Sequence, residues 1–565
     1  MNAAQQGLSD EPDSVAGHVV DVVQGRITPG VLHIAKGRIA QFEPRADVPE
    51  RYLIPGFIDA HIHVESTMLP PAEFARWAVV QGTVATVSDP HEIANVLGVA
   101  GVEYMIAEAA RRPLFTILFG APSCVPATSF ETSGAVLDAE AVQRLLSRPE
   151  IGYLSEVMNV PGVLNDDPDL LAKLRAARRA GKPIDGHAPG FRGEAVMRYA
   201  AAGVSTDHEC TTLEEARDRL AAGMWVLIRE GSAAKDFNAL APLLFEAPEH
   251  LMFCSDDKHP NDLLVGHINS IAARAVALGA DPIAVLRIAC LNPARHYGID
   301  AGLLRPGDRA SFVVVEDLLQ FRPLATYLDG TCAARDGQPL WGYLTPETPN
   351  VFRSCKLTPS SLRLSPSPDR TLRVIEAYDG KLITGERLFS EPKIGSDGTL
   401  QGDTARDLLK IAVVNRYSEA APAVALVHGF GLKRGAIASS VAHDSHNVVA
   451  VGADDASLLA AIDAVAGVGG GVAVARSPQE VDCLELPIAG LMAAERGDAV
   501  AARYEELDRA ANALGSRLRS PLMTLSFMAL PVIPKLKLSD KGLFDGEAFA
   551  FTTLEIAPDE EPALD

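Results

Sequence analysis

Eight short apolar runs, each followed by an amphipathic stretch, alternate between Phe57 and Asp256. The runs read as strands at 57–63, 83–88, 114–119, 151–156, 183–187, 204–208, 225–229 and 251–256. Helix candidates fall between or after them at 71–81, 99–110, 139–147, 168–180, 193–202, 213–222, 234–245 and 261–278. Strands separated by helices do not pair as hairpins and lie parallel. Eight such units over residues 57–278 match a (β/α)8 barrel, whose reactive groups sit at the carboxyl ends of the strands.

Polar residues fall at those ends. Asp59-Ala60-His61-Ile62-His63 closes strand one, and the alternation of a strand puts His61 and His63 on one face, side by side. A His-x-His pair alone fits two unrelated histidines equally well. The other strands break that tie. Glu156 closes strand four, His187 strand five, His208 strand six and Asp256 strand eight, giving six metal-competent residues on five strands. Imidazole and carboxylate donors suit zinc, iron(II) or manganese(II), and thiolates are too few at this rim for a soft metal. Asp89, His91 and Glu92 follow strand two in Ser88-Asp89-Pro90-His91-Glu92, where Asp89-Pro90 also reads as a simple capped turn.

The order His-x-His, strand-four carboxylate, single histidines on strands five and six, and a strand-eight Asp resembles the amidohydrolase superfamily of metal-dependent hydrolases. Closer motifs are His61-Ile62-His63-Val64-Glu65-Ser66, Ser88 to Asn95, and Ser255-Asp256-Asp257-Lys258-His259-Pro260. Together with Gly429-Phe430-Gly431-Leu432 and Ala442-His443-Asp444-Ser445-His446-Asn447 they are similar to the bacterial adenine deaminases over nearly the whole chain. That resemblance implies hydrolysis of adenine to hypoxanthine and ammonia in purine salvage, with a purine as the small-molecule partner. It also implies two divalent ions, Mn2+ or Fe2+ first and Zn2+ as a further option. Glu156 would bridge them, His61, His63 and Asp256 completing one side and His187 and His208 the other. Asp256 would take the proton of the attacking water. His187 is followed by Ala188-Pro189-Gly190, so the strand-five acid of mononuclear deaminases is missing. The proton donor is then expected among Glu92, Asp89 and His91, and Glu65 and Asp257 are expected to contact substrate. Two other functions fit the same barrel: a cyclic-amide hydrolase of the hydantoinase or dihydroorotase kind, and a silent purine-binding paralogue.

Charge and composition add exclusions. Fifty-one Lys and Arg against 73 Asp and Glu give −22, which disfavours a nucleic-acid surface. No uncharged apolar stretch is long enough for a membrane span, and Met1 to Asp13 lack the basic start and apolar core of a signal peptide. Seven cysteines with no Cys-x-x-Cys pair fit reduced thiols in the cytoplasm. A homo-oligomer, most simply a dimer, is expected.

The flanks read as β-rich. Residues 1–54 and 301–356 are expected to form one small β-domain around a barrel at 55–300, with hairpin turns at Asp329-Gly330 and Asp336-Gly337. A Pro/Ser-rich stretch from Thr358 to Pro368 reads as a linker to an α+β domain at 370–565. Gly467 to Gly471 lack the Lys-Ser/Thr of a phosphate loop and read as a turn before the strand Val472–Ala475. His428, His443, Asp444 and His446 are expected to gather at strand ends of that domain. Whether His443 to His446 form a metal site, a wall over the barrel or a locally bonded loop stays open. The region from about Arg370 is expected to belong to the working enzyme.

Overall fold

The computed structural model describes residues 13–353, 356–367 and 370–556. Eight parallel strands form the barrel: β1 (Phe57–Ile62), β2 (Thr83–Ser88), β3 (Thr116–Ala121), β4 (Ile151–Val157), β5 (Ile184–Gly186), β6 (Thr206–Asp207), β7 (Trp225–Arg229) and β8 (Leu251–Cys254). β1 to β5 pair in sequence order, as do β6 to β8. Ser205 N donating to Ile184 O (2.8 Å) ties β5 to β6. Asp256 N donating to His61 O (2.9 Å) and His63 N to Asp256 O (3.3 Å) close β8 onto β1. Every residue of β1 and β2 is buried, as expected where helices cover the outer face of a parallel sheet. Gly56, entering β1, has to be glycine because a Cβ there would lie 2.2 Å from a Val84 methyl carbon.

Local chemistry starts the helices between the strands. Asp138 and Asp167 accept from Ala141 N (2.8 Å) and Leu170 N (2.9 Å), capping helices Ala139–Leu146 and Pro168–Arg179. Two expected helices are broken instead. The 234–245 stretch splits into Phe237–Leu240 and Leu243–Glu246, because Pro242 has no N–H to continue the first piece. The 261–278 stretch splits into Pro260–Val265 and Ile268–Ala277. Gly266 is extended there, and the buried His267 side chain is drawn to Thr83 Oγ1 (2.7 Å) and Asp59 Oδ2 (2.8 Å).

Strands from both flanks join one eight-stranded sheet, in which Tyr52–Pro55 pairs antiparallel with Phe312–Val315. A second eight-stranded sheet lies C-terminal, with Asp455–Gly467 packed on one face and Gly497–Ala513 beside it. The Pro/Ser-rich stretch is no bare tether over its described part. Pro359–Leu362 forms a turn of 3-10 helix, Leu362 is buried against Leu458 and Ala461, and Lys410 Nζ donates to Leu362 O (3.1 Å). One continuous apolar core holds barrel residues such as Ile58 and Phe74 together with Val500 and Leu525 of the C-terminal part. No helix among the described residues is long and apolar enough to cross a membrane. Cys355 lies outside the described residues, and the other six cysteines are free thiols.

Candidate active site

β1 ends where its two histidines are needed. Asp59 accepts from His61 N (3.3 Å), Ser255 N (3.0 Å) and the Ser255 hydroxyl, fixing the tip of β1 against β8. His63 Nδ1 lies 3.2 Å from the carbonyl oxygen of Asp89, so it donates there and turns the Nε2 lone pair inward. The two Nε2 atoms stand 3.3 Å apart. Glu156 reaches in from β4, its Oε1 2.8 Å from His61 Nε2 and 2.9 Å from His63 Nε2, and its Oε2 2.9 Å from His187 Nδ1. His208 stacks on His61 at 4.1 Å, with Nε2 3.7 Å from Glu156 Oε1. Asp256 Oδ1 is 3.2 Å from His63 Nε2 and 3.6 Å from His61 Nε2. Its backbone is left-handed at φ 54°, a region aspartate enters more readily than most side chains.

These donors converge without satisfying one another. Glu156 Oε1, His61 Nδ1 and both nitrogens of His187 are buried and have no aligned hydrogen-bond partner. His61, Glu156, His208 and Asp256 each offer an atom within 4.8 Å of the others. Burial disfavours charge on His61, yet Asp256 and Glu156 push it up to about 10, so the cluster demands positive charge at its centre. His208 is pushed down to about 3 by burial and by His61, which leaves it neutral and able to coordinate. An all-N/O, acidic, buried cage of this kind fits a divalent cation.

Above the cage lies a pocket. Its barrel side is His63, His91, Glu92, Met158, His187, His208, Glu209, Asp256 and Asp257; Leu382, His443, Asp444, Phe527, Leu530, Val532 and Ile533 close it from the C-terminal part. Glu92 is the meeting point. His443 Nδ1 lies 2.5 Å from its Oε1, and His446 Nε2 contacts its Oε2. Burial alone would raise Glu92, but His443, His446 and His91 hold it well below the usual carboxylate range. His443 is pushed up to about 9, burial being outweighed by Glu92 and Asp257. The pair therefore carries a proton at neutral pH, resting on the imidazole. His443 also stacks on Phe527 at 4.5 Å and 8°.

Asp89 caps its own loop, accepting from His91 N (3.1 Å) and from Ser155 Oγ (2.6 Å), while its Oδ2 lies 3.1 Å from His91 Nδ1. Asp257 is on the pocket wall and accepts from Ser66 Oγ (2.6 Å). Glu65 is one layer behind, accepting from Ile93 N (3.2 Å), with its carboxyl pushed up to about 7 by burial. His428 does not join His443 and His446. It sits at the end of strand Ala423–His428, with Nδ1 3.6 Å from Glu376 of the neighbouring strand.

Residues 52–336 match the family described as "Amidohydrolase family", and residues 382–550 match the "Adenine deaminase C-terminal domain". The "Adenine deaminase" of Salinibacter ruber (strain DSM 13855 / M31) is 55% identical over 540 residues, covering 95% of this chain and 98% of that one. The chain belongs to the adenine deaminase family. Those of Sulfurovum sp. (strain NBC37-1) and Methanosarcina mazei are 54% and 46% identical, each covered over 98% of its length. The matched adenine deaminase C-terminal domain is the part that brings His443 and Phe527 to the pocket and His446 to Glu92.

Sequence reasoning missed two residues of this rim. Glu209 follows His208 directly, and its Oε1 lies 3.5 Å from His208 Nε2 and 3.6 Å from His187 Nδ1. Arg229 ends β7, one of two strands to which no reactive residue was assigned, and bonds both Glu209 and Asp256. A charged residue at that strand end was the available signal.

Proposed function

We propose that the chain is an adenine aminohydrolase, converting adenine and water to hypoxanthine and ammonia. The observation that carries the reading is Glu92, held by two imidazoles of the matched C-terminal domain, at the wall of a small pocket floored by the histidine–carboxylate cage. His61, His63, Glu156 and Asp256 would hold one divalent cation and Glu156, His187 and His208 a second, with Mn2+ or Fe2+ favoured and Zn2+ the further option. Ions bound there supply an acidified water and offset the cage's negative charge.

The protein's own groups then move the protons. Asp256 Oδ1, turned toward the cage, accepts the proton lost as water oxygen bonds to C6 of adenine. The Glu92–His443 pair gives its proton through Glu92 to the ring nitrogen. The proton taken by Asp256 then passes to the amino group as the C6–N bond breaks, so that ammonia and not an amide anion leaves. The remaining proton of water, released as C6–OH becomes the carbonyl, restores the pair. Phe527, Leu530 and Ile533 exclude water and offer flat apolar surface to a purine. Asp257 stands at the same wall as a partner for substrate nitrogen. Glu65, behind that wall, would act on substrate only through the backbone it caps.

Loss of adenine ultraviolet absorbance with purified protein and added manganese tests the reading. Turnover that stops on chelation and returns with metal is the expected result. Metal-replete protein that leaves adenine intact while opening a cyclic amide would replace it.

A further inference from the structure

Arg229 is 2% exposed and grips three carboxylates. Its Nη1 and Nη2 take the two oxygens of Glu209, the second at 3.1 Å. Nη1 also donates to Asp256 Oδ2 at 2.9 Å, and Nε donates to Asp236 Oδ2 at 3.0 Å. Two of those carboxylates, held side by side on one guanidinium nitrogen, each approach a different pair of cage histidines. Asp256 turns its other oxygen toward His61 and His63, while Glu209 lies against His187 and His208. His187, His208 and Glu209 each offer an atom within 4.8 Å of the others. Glu209 is held from behind as well, since Asp207 Oδ1 accepts from its backbone N (2.9 Å) and Asp207 Oδ2 from Arg219 Nε (2.8 Å).

A carboxylate on its own strand rotates about two side-chain bonds, so nothing in β8 alone selects which oxygen of Asp256 meets the cage. A planar guanidinium bonded at two edges makes that selection and spaces Glu209 from Asp256 through one nitrogen. Lysine offers one donor centre and fixes neither spacing nor orientation.

We propose that Arg229 is a positioning residue that sets Asp256 and Glu209 in register beside the cage, and that Glu209 is an additional metal-ligating carboxylate on the His187/His208 side. This rests on the metal-dependent reading of the same site, so its test reads metal binding separately from turnover.

Full-length Glu209→Gln and Arg229→Lys are stripped of metal, titrated with Mn2+ against a chromophoric chelator, and then assayed for adenine turnover at saturating metal. Glu209→Gln keeps the shape and is expected to weaken one of the Mn2+ equivalents about 10- to 100-fold, the size typical for groups that complete or orient a ligand set. Arg229→Lys is expected to weaken the same equivalent and to lower kcat about 10- to 100-fold, with the KM for adenine within about twofold. Guanidinium ion added to Arg229→Ala should restore part of kcat, which a merely structural arginine would not allow. Wild-type Mn2+ affinity in a folded Glu209→Gln overturns the ligand assignment. Unchanged kcat in a folded Arg229→Lys overturns the positioning role; should that variant fail to fold, guanidinium rescue of Arg229→Ala decides. If the wild-type protein binds Mn2+ but leaves adenine untouched, the deaminase reading fails while the titration still decides the ligand claim.

Discussion

At the scale of the residue, Glu156 and Glu92 are both buried carboxylates surrounded by histidine, yet the geometry gives them different work. Glu156 spends each oxygen on a different half of the cage, Oε1 on His61 and His63 and Oε2 on His187. Glutamine keeps one such oxygen and replaces the other by an N–H2 that cannot coordinate. Glu156→Gln is therefore expected to lose at least one metal equivalent by elemental analysis and most of the rate with it; a variant with full metal content and normal kcat would remove the bridging role. Glu92 spends both oxygens on imidazoles of a distant segment. Glu92→Gln preserves reach but cannot pass a proton, so kcat should fall about 100- to 10,000-fold while metal content stays at the wild-type level. Near-normal turnover would transfer the proton role to Asp89 or His91. The expected asymmetry is the point: one substitution is read in metal content, the other in kcat alone.

At the scale of the element, the pocket wall depends on how the C-terminal strands are pinned. Lys537, fully buried on strand Leu536–Ser539, donates to Leu382 O (2.8 Å) and Phe527 O (2.9 Å), the backbones of two wall residues. Lys537→Met removes both bonds and leaves two buried carbonyls unpaired, each costing about 1–3 kcal/mol. The expected outcome is a KM for adenine raised about 10-fold, since 1.4 kcal/mol of lost wall contact is a factor of ten, with metal content unchanged. An unaltered KM would show that the wall holds without this lysine. The barrel was legible in the sequence because it repeats: apolar runs, caps such as Asp167 and strand-end histidines all obey local rules. The wall was not. Phe527 reads in sequence as one more core aromatic, and the approach of His443 to Glu92 spans 351 positions with no periodicity to announce it. One of the two split helices failed for a similar reason, since His267 is pulled out of helical register by Asp59, a residue 208 positions away. The other was broken by Pro242, a signal the sequence did carry. Glu209, next to His208 after β6, and Arg229, at the end of β7, were within reach of the strand-end rule and were passed over.

At the scale of the whole molecule, the barrel and the C-terminal part meet through buried polar groups as well as apolar core. The loop after β3 is central to that contact: Thr132 N donates to Asp540 Oδ1 (2.8 Å), Asn447 Nδ2 to Thr132 O (2.9 Å), and Lys541 Nζ to Glu131 O (3.0 Å). The Glu131 carboxyl is buried in this seam and accepts from Thr128 Oγ1 at 3.2 Å. Burial first, and then Asp444, push it up to about 8 from an ordinary 4.5. The sign of the resulting pH dependence follows from proton counting. Between those two values the folded chain keeps a proton that the unfolded chain has released, so folding weakens as pH rises. The contribution of Glu131 is thus fully present below 4.5 and is lost as pH climbs through about 8. Glutamine keeps the shape and the acceptor oxygen without the charge. Glu131→Gln should therefore match the wild type in melting temperature near pH 5, and exceed it at pH 9 by about 1 °C for each kcal/mol recovered in a chain of this size. Scanning fluorimetry of the full-length proteins at both pH values provides the measurement. An equal shift at the two pH values would mean that the seam does not respond to this carboxyl. A difference that opens only at high pH would show that the contact between barrel and C-terminal part is stabilised by a protonated acid under neutral conditions.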